Sequence, residues 1–455
     1  MIFLLLLISP LSFADTPSSI SSKKAIYEGN ALVLKGCVQL DHKLGMIESG
    51  HARLQKESQE APFTSISLRE NVKITLQNQS ELLCEKADFD FNHLQAILYP
   101  KKGESIHFST TDKEPFSLSS KLANITLSKD QNSMRLKAIE AKESVLAHYG
   151  NHFTLFAEDL LYTDEPASYI SVPTHAVLER GDDRIEAEQV EVYPNAAKAH
   201  LTSPKGIFKP ALSSPEQEIQ FSCDQLTWDD LKHTLTLQGE IWVEDGQFGL
   251  IHCDDEIKLI QKQIEGKWIL NQVVANGKTA VRCTFSSDFT PLLICDGVMN
   301  LDHDHKSLAL QSLQDSPVQY YHENLELSGD QAQIDYVETL GKISAQKLLL
   351  TGNVLLTSSE ESDEVRLGVA DQFTYLADEK NLVLSSEDGN KVLFWDDTQD
   401  LSISANEVHI LKTEENYAVK GVGNVRFTFS SEESALLKKL FPFYQPKGGS
   451  NVARD

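Results

Sequence analysis

The densest set of side chains able to ligate a metal is Asp302-His303-Asp304-His305. Imidazoles two residues apart on a strand point to the same side, which suits a divalent ion. The run falls between the apolar stretches 298–301 and 308–310, where a hairpin turn is expected, and turn chemistry accounts for Asp and His without a metal. A second candidate is a series of acids: Glu85, Glu158, Glu188, Asp224, Asp254, Asp296, Asp330 and Asp371. Such a ladder could bind cations. Aligned like charges repel, however, so a solvated outer face with counter-ions is the expected role. Six cysteines offer thiol chemistry, but none are spaced CxxC, which argues against a thioredoxin-type pair and a structural zinc. No Gly-rich phosphate loop, nucleophile elbow or Ser/His/Asp set stands out. The expectation is a protein that is not an enzyme, with no cofactor and no metal.

What carries those acids is a strand signature repeated along the chain: apolar–x–small–x–x–apolar–x–apolar. Clear copies are Leu155-x-Ala157-Glu158-x-Leu160-x-Tyr162, Ile185-x-Ala187-Glu188-x-Val190-x-Val192, Phe221-x-Cys223-Asp224-x-Leu226-x-Trp228 and Ile403-x-Ala405-Asn406-x-Val408-x-Ile410. The small residue recurs eleven times, at Ser49, Cys84, Ser120, Ala157, Ala187, Cys223, Cys253, Cys295, Gly329, Ala370 and Ala405. Spacings run from 30 to 42 residues. A period of this size marks an array of one supersecondary unit. Apolar and polar residues alternate within each copy, as on a strand with one buried face. The two-residue gap after the small position breaks that parity, so the strand must bulge or bend there and pass between two packed sheets. A small side chain is expected where the sheets come closest. Several units add a strand ending in Gly-Asn-Val or its equivalent, as at Gly352-Asn353-Val354, Gly423-Asn424-Val425, Glu70-Asn71-Val72 and Gly239-Glu240-Ile241. Gly and Asn tolerate the positive φ of tight turns and bulges. More than twenty strands are expected.

Composition sets the class. The chain has 455 residues, 41% apolar and 24% charged, enough for one or more large cores. Its formal charge of −26 argues against nucleic acid, whose binding relies on a basic face. Residues 1–14 are nearly all apolar and end in Ser12-Phe13-Ala14, like a secretory signal with a small residue at the cleavage point, though the basic start is missing. No later segment is apolar enough to span a bilayer, so an exported, soluble chain is expected. Export raises the question of disulfides. Cys84, Cys223, Cys253 and Cys295 occupy the small position, where buried apolar thiols are favoured; Cys223 with Cys253 is the best candidate bridge. Pro204, Pro210 and Pro215 suggest a boundary near 204–216, and 100–115 reads as a long loop. Residues 430–440 read as a short capped helix with Leu436, Leu437 and Leu440 on one side, followed by a disordered tail.

With repeat, strand pattern and export signal together, the chain resembles the OstA/LptA family of periplasmic lipopolysaccharide-transport proteins. The resemblance rests on Leu350-Thr351-Gly352-Asn353-Val354, on the Ile-x-Ala-x-x-Val runs at 185–192 and 403–410, and on 47–54 with Ser49-Gly50-His51-Ala52. It implies an all-β, OstA-like open β-jelly roll, V-shaped, of antiparallel sheets. The expected domains are a signal peptide at 1–14, jelly-roll modules at 23–205 and 216–430, and a helix with tail at 431–455. The length, more than twice the usual single domain, fits two fused modules or one long groove; the C-terminal barrel of the larger family member is absent. By the same resemblance the protein is a periplasmic carrier that holds lipopolysaccharide acyl chains in a hydrophobic groove and passes them toward the outer membrane. Leu155, Leu160, Tyr162, Phe221, Leu226, Phe373 and Ile403 are the expected lipid-binding residues. Partners would be lipopolysaccharide or lipid A and inner- and outer-membrane transport components joined by edge-strand pairing, with self-association open. The alternatives are a structural β-solenoid or surface adhesin without lipid cargo, which should have a filled core, and a hydrolase with scattered residues.

Overall fold

The computed structural model describes residues 19–444 except 43–44, 111–114, 130–133, 151–152, 165–166, 210–217, 246–248, 265–266, 285–291, 314–315, 340–341, 360–364, 388 and 413–416. The expected signal peptide and the end of the expected tail lie outside the described residues. The chain is all-β, 71% strand and antiparallel, with 39 strands and one α-helix among the described residues. It divides into two compact units, residues 1–206 with 227–231, and residues 207–226 with 232–455. The 100–115 segment contains a strand, Ile106–Ser109, which corrects its reading as a loop. Its alternation is only one period long, too short to stand out in the sequence.

In the first unit the strands form two ladders. The slot ladder, which carries the small positions, includes Ile106–Ser109, Phe116–Ser120, Ala176–Arg180 and Asp183–Ala187. The facing ladder includes Lys24–Glu28, Gln95–Tyr99, Leu122–Lys129, Tyr169–Val172 and Gln189–Tyr193. Long strands such as Ala31–His42, Phe63–Leu76 and Met134–Tyr149 run through both. In Phe63–Leu76, residues 65–69 pair with 86–90 and residues 72–75 with 81–84, the register slipping between. Glu70 and Asn71, at the slip, have φ of 69° and 53°. Two consecutive left-handed residues turn the strand from one ladder into the other, the bend a β-bulge makes. Gly36-Cys37 and Glu143-Ser144 do the same. The strands' far ends turn back within their own ladder, so the ladders are joined at the corners. They also touch face to face: Tyr162 of the facing ladder lies 4.8 Å from Phe116 and 5.7 Å from Phe108 of the slot ladder, ring centre to ring centre.

The second unit repeats the plan. Its slot ladder contains Ile241–Asp245, Gly249–Cys253, Val281–Thr284, Leu292–Cys295, Leu325–Gly329, Val392–Asp396 and Leu401–Ala405. Its facing ladder contains Thr234–Gln238, Glu256–Ile264, Lys267–Asn276, Val298–Asp302, Ser307–Gln311 and Tyr417–Val422. Lys342–Ser359 and Val365–Leu376 cross between ladders, with Gly352 and Asn353 at φ of 75° and 47° where the register slips.

The corners follow one packing rule. Nine of the eleven small residues stand directly across from a β-branched one: Val38 opposite Ser49, Val72 opposite Cys84, Ile106 opposite Ser120, Val145 opposite Ala157, Ile241 opposite Cys253, Val281 opposite Cys295, Val318 opposite Gly329, Val354 opposite Ala370, Val392 opposite Ala405; Ala187 instead faces Ala176. These Val and Ile side chains are at most 2% exposed. Large and small side chains thus alternate down most of the corner of each slot ladder, and the run Ala157, Ala176, Ala187 in the first unit is all small. The Val of Gly-Asn-Val is the large member, and the expected bulge lies in its strand, opposite the small residue and not on it.

The C-terminal segment is part of the fold. Helix α1 (Ser431–Leu440) has a full capping box: Ser430 accepts from Glu433 N–H, and Glu433 accepts from Ser430 N–H. Leu437, Phe441 and Tyr444 pack on Leu367, Leu393 and Trp395. Leu436 faces outward, so the expected apolar stripe is only partly used.

Candidate functional site

All seven candidate lipid-binding side chains point inward. Leu155 and Phe373 are fully buried, Leu226 and Ile403 1% exposed, Leu160 2%, and Tyr162 and Phe221 5%. That burial is the burial of a packed core. Leu155, Leu160 and Tyr162 belong to the first unit, and the other four to the second.

Two cavities among the described residues lie instead at the mouth, the side away from the corners. In the first unit a cavity of about 70 Å³ is lined by Tyr149, Phe153, Leu178 and Arg180 of the slot ladder and by Val192, Pro194, Lys198 and Trp228 of the facing ladder. The Arg180 guanidinium stacks 4.3 Å above the Trp228 ring and pairs with Asp183 at 3.3 Å. Lys198 lies 3.5 Å from the Asp229 carboxylate. The second unit has a smaller mouth cavity of about 20 Å³, between Val243, Asp245 and Ile251 on one ladder and Leu259, Leu301 and His303 on the other. None of the seven candidates lines either cavity. The signal was nevertheless present, because Trp228 fills the last apolar position of its repeat copy.

His303 and His305 do not converge. The Asp302 carboxylate accepts from the N–H groups of Asp304 and His305 at 2.9 and 3.0 Å and contacts His305 Nδ1 at 2.8 Å. His305 sits on the surface, while His303 turns inward, its Nδ1 3.5 Å from the Tyr336 hydroxyl. Burial pushes the His303 pKa down, against the pull of nearby carboxylates led by Asp245. The same turn recurs at Asp90, which accepts from Asn92 and His93 N–H and contacts His93 Nδ1 at 2.7 Å. Among the described residues no three His, Cys, Asp or Glu side chains are grouped to hold a metal.

The acids after the small position do more than face solvent. Asp224 accepts from Glu240 N–H, Asp371 from Glu387 N–H, and Glu85 from Asn71 N–H, at 3.3, 2.7 and 3.4 Å. Asp254 accepts from the N–H groups of Lys278 and Thr279 and from the Thr279 hydroxyl. Partial burial raises its pKa, but these hydrogen bonds outweigh that and hold the carboxyl below its ordinary value. Asp330 accepts from the Asn353 amide at 3.0 Å, and a Cβ on Gly352 would fall 2.2 Å from its Oδ2. These five acids lie on the exposed or half-exposed side of the strands, as expected, and in addition hydrogen-bond a neighbouring corner. The bond is long-range in sequence and leaves no local pattern.

All six cysteines are free thiols. The proposed Cys223–Cys253 bridge is excluded by the ladder. Ser222 pairs with Trp242 and Cys253 with Ile241, so a whole strand separates the two cysteines. Two strand spacings are about 9.6 Å, beyond the reach of a disulfide. Burial pushes the Cys84, Cys223 and Cys283 thiols up to about 12, leaving them as small apolar groups.

No family model matches the chain, and no curated protein matches it. No helix among the described residues is long and apolar enough to cross a membrane.

Proposed function

We propose that this protein is a periplasmic carrier of the OstA/LptA type, a non-catalytic bridge that shelters lipopolysaccharide acyl chains between its two ladders and hands them toward the outer membrane. The observation that most supports this is the joining of the ladders at the corners, with apolar residues between them and cavities at the mouth. An open V-shaped jelly roll has that connectivity. Carrying a fourteen-carbon chain through water costs on the order of 10 kcal/mol, at about 0.8 kcal/mol per CH₂, and an apolar cleft offsets most of it. The 70 Å³ mouth cavity is smaller than the roughly 150 Å³ that admits one benzene, so cargo requires the ladders to part. Edge strands at 19–28 and 417–422 are where membrane components at either end would pair. The formal charge of −26 argues against a nucleic-acid partner.

The filled core favours one second reading, a structural array or adhesin without cargo. Photo-crosslinkers separate the two. Placed at Phe153, Leu160 or Tyr162 they should capture lipopolysaccharide in living cells, and at outward Glu158 they should not. Equal capture at both sets, or none at either, sinks the carrier.

A further inference from the structure

On the outer face of the first unit's facing ladder, beside the corners, one line of basic residues crosses five neighbouring strands. Lys24 stands directly opposite Lys35, Lys35 opposite His51, His51 opposite Arg69, and Arg69 opposite Lys86. At about 4.8 Å per strand the line is roughly 19 Å long. The chain neighbours Leu34, Ala52, Leu68 and Ala87 are at most 1% exposed, which fixes the line on the outward side. Lys86 then meets Tyr99, its ammonium 4.8 Å over that ring. On the next two strands Leu122 stands opposite Lys142, and the line ends on Asp159. Such a row is unexpected in a chain with a formal charge of −26, because like charges directly opposite each other destabilise a sheet. Nearby acids do not cancel it. Asp88 contacts Lys86, and Glu28 pairs with Arg53 of the neighbouring line. Among the described residues no carboxylate pairs with Lys24, Lys35 or Arg69.

We propose that this line docks the first unit onto an anionic lipid surface. The cations supply the attraction, and anions lying against them relieve the repulsion that the bare row carries. Tyr99 and Ile97, on the same outward face, are 36% and 40% exposed. An aromatic and an aliphatic side chain beside long basic ones, whose stems can lie along apolar surface, is the composition that settles at headgroup level. An extended acidic peptide fits less well. It would need a groove or an unpaired strand edge, and the strands bearing Lys35, His51, Arg69 and Lys86 are hydrogen-bonded on both sides. The net charge of the chain does not forbid the contact. At about 0.1 M salt, charges further than about 10 Å are largely screened, so the surface meets the line and its immediate neighbours. This inference does not depend on any cargo between the ladders.

Flotation of the full chain with vesicles tests it, using phosphatidylcholine alone or mixed with anionic phosphatidylglycerol. The unchanged chain should float with the anionic vesicles at about 0.1 M salt and leave them near 1 M, where screening acts within about 3 Å. Lys24→Gln, Lys35→Gln and Arg69→Gln together should weaken partition about fivefold per charge, on the order of a hundredfold in all. Lys306→Gln, Lys380→Gln and Lys420→Gln, exposed in the second unit, change the net charge equally and should leave partition unchanged. The apolar residues 1–14 are common to all three proteins, so only differences between them are read. If the first triple variant loses its β signal by circular dichroism, Lys35→Gln alone, set between Lys24 and His51, replaces it with an expected loss of about fivefold. Equal loss in both triple variants overturns the proposal, as does flotation with neutral vesicles to the same extent or none with anionic ones. A line variant that keeps the vesicles but loses binding to soluble polyglutamate also overturns it, and makes the partner an acidic protein.

Discussion

Single carboxylates decide whether a corner keeps its shape. Asp254→Ala should lower stability by about 1 kcal/mol at neutral pH, from lost hydrogen bonds to a charged acceptor. Because the folded-state pKa of Asp254 lies below 3.8, its contribution is present above that value and fades as pH falls through the lower folded value. Urea titrations should therefore show the deficit shrinking well below pH 3.8; an undiminished deficit there contradicts the capping role. His303 works the other way. Its folded pKa lies below 6.5, so as pH falls from 6.5 the unfolded chain takes up a proton that the folded chain refuses, and stability drops until the folded value is reached. His303→Gln should flatten that slope. A slope unchanged in the variant would place its origin elsewhere.

At the scale of the element, the unit is a cross-strand pair at a bend, Val or Ile against a small residue. Enlarging the small member overpacks the corner: Ala405→Leu against Val392, or Ala187→Leu at its buried place opposite Ala176, should cost about 1–3 kcal/mol. Val392 and Ala405 are direct partners, so Val392→Ala with Ala405→Val should recover part of what either loses alone. Strict additivity in thermal melts would show that the two do not share one space. Gly352→Ala should be costly for a different reason, its φ of +75° and the Asp330 carboxylate in the way. Much of this was legible. Alternation marked the strands, the small position marked the corner, and Gly-Asn marked the positive φ. The partner of the small residue was not legible, because cross-strand register depends on how many residues each hairpin turn consumes, and the copies vary from 30 to 42 residues. Both the excluded Cys223–Cys253 bridge and the role of Val354 turn on that register. Helix α1 was found from its caps, but not that it covers Trp395, which lies 42 residues before Leu437 in a strand whose outward face gave no sign of burial.

In each unit the corner Val and Ile side chains are buried, and a cavity lies at the mouth. The interior candidates are close-packed, whereas Arg180 on Trp228 and His303 beside Asp245 are polar contacts at the rim. Pattern alone marks which residues face inward. It does not say how tightly they pack, because tightness depends on how closely the two ladders approach, and the seven candidates accordingly face inward but line neither of the two mouth cavities. The central claim is that this interior opens to take an acyl chain. Native mass spectrometry of the chain purified from the periplasm of lipopolysaccharide-producing cells tests it most directly. The account predicts an added mass of lipid A type, released on activation and absent when Tyr162→Asp and Leu160→Asp place charge between the ladders. A spectrum showing only the bare, folded chain under conditions that keep lipid on a control carrier would contradict it.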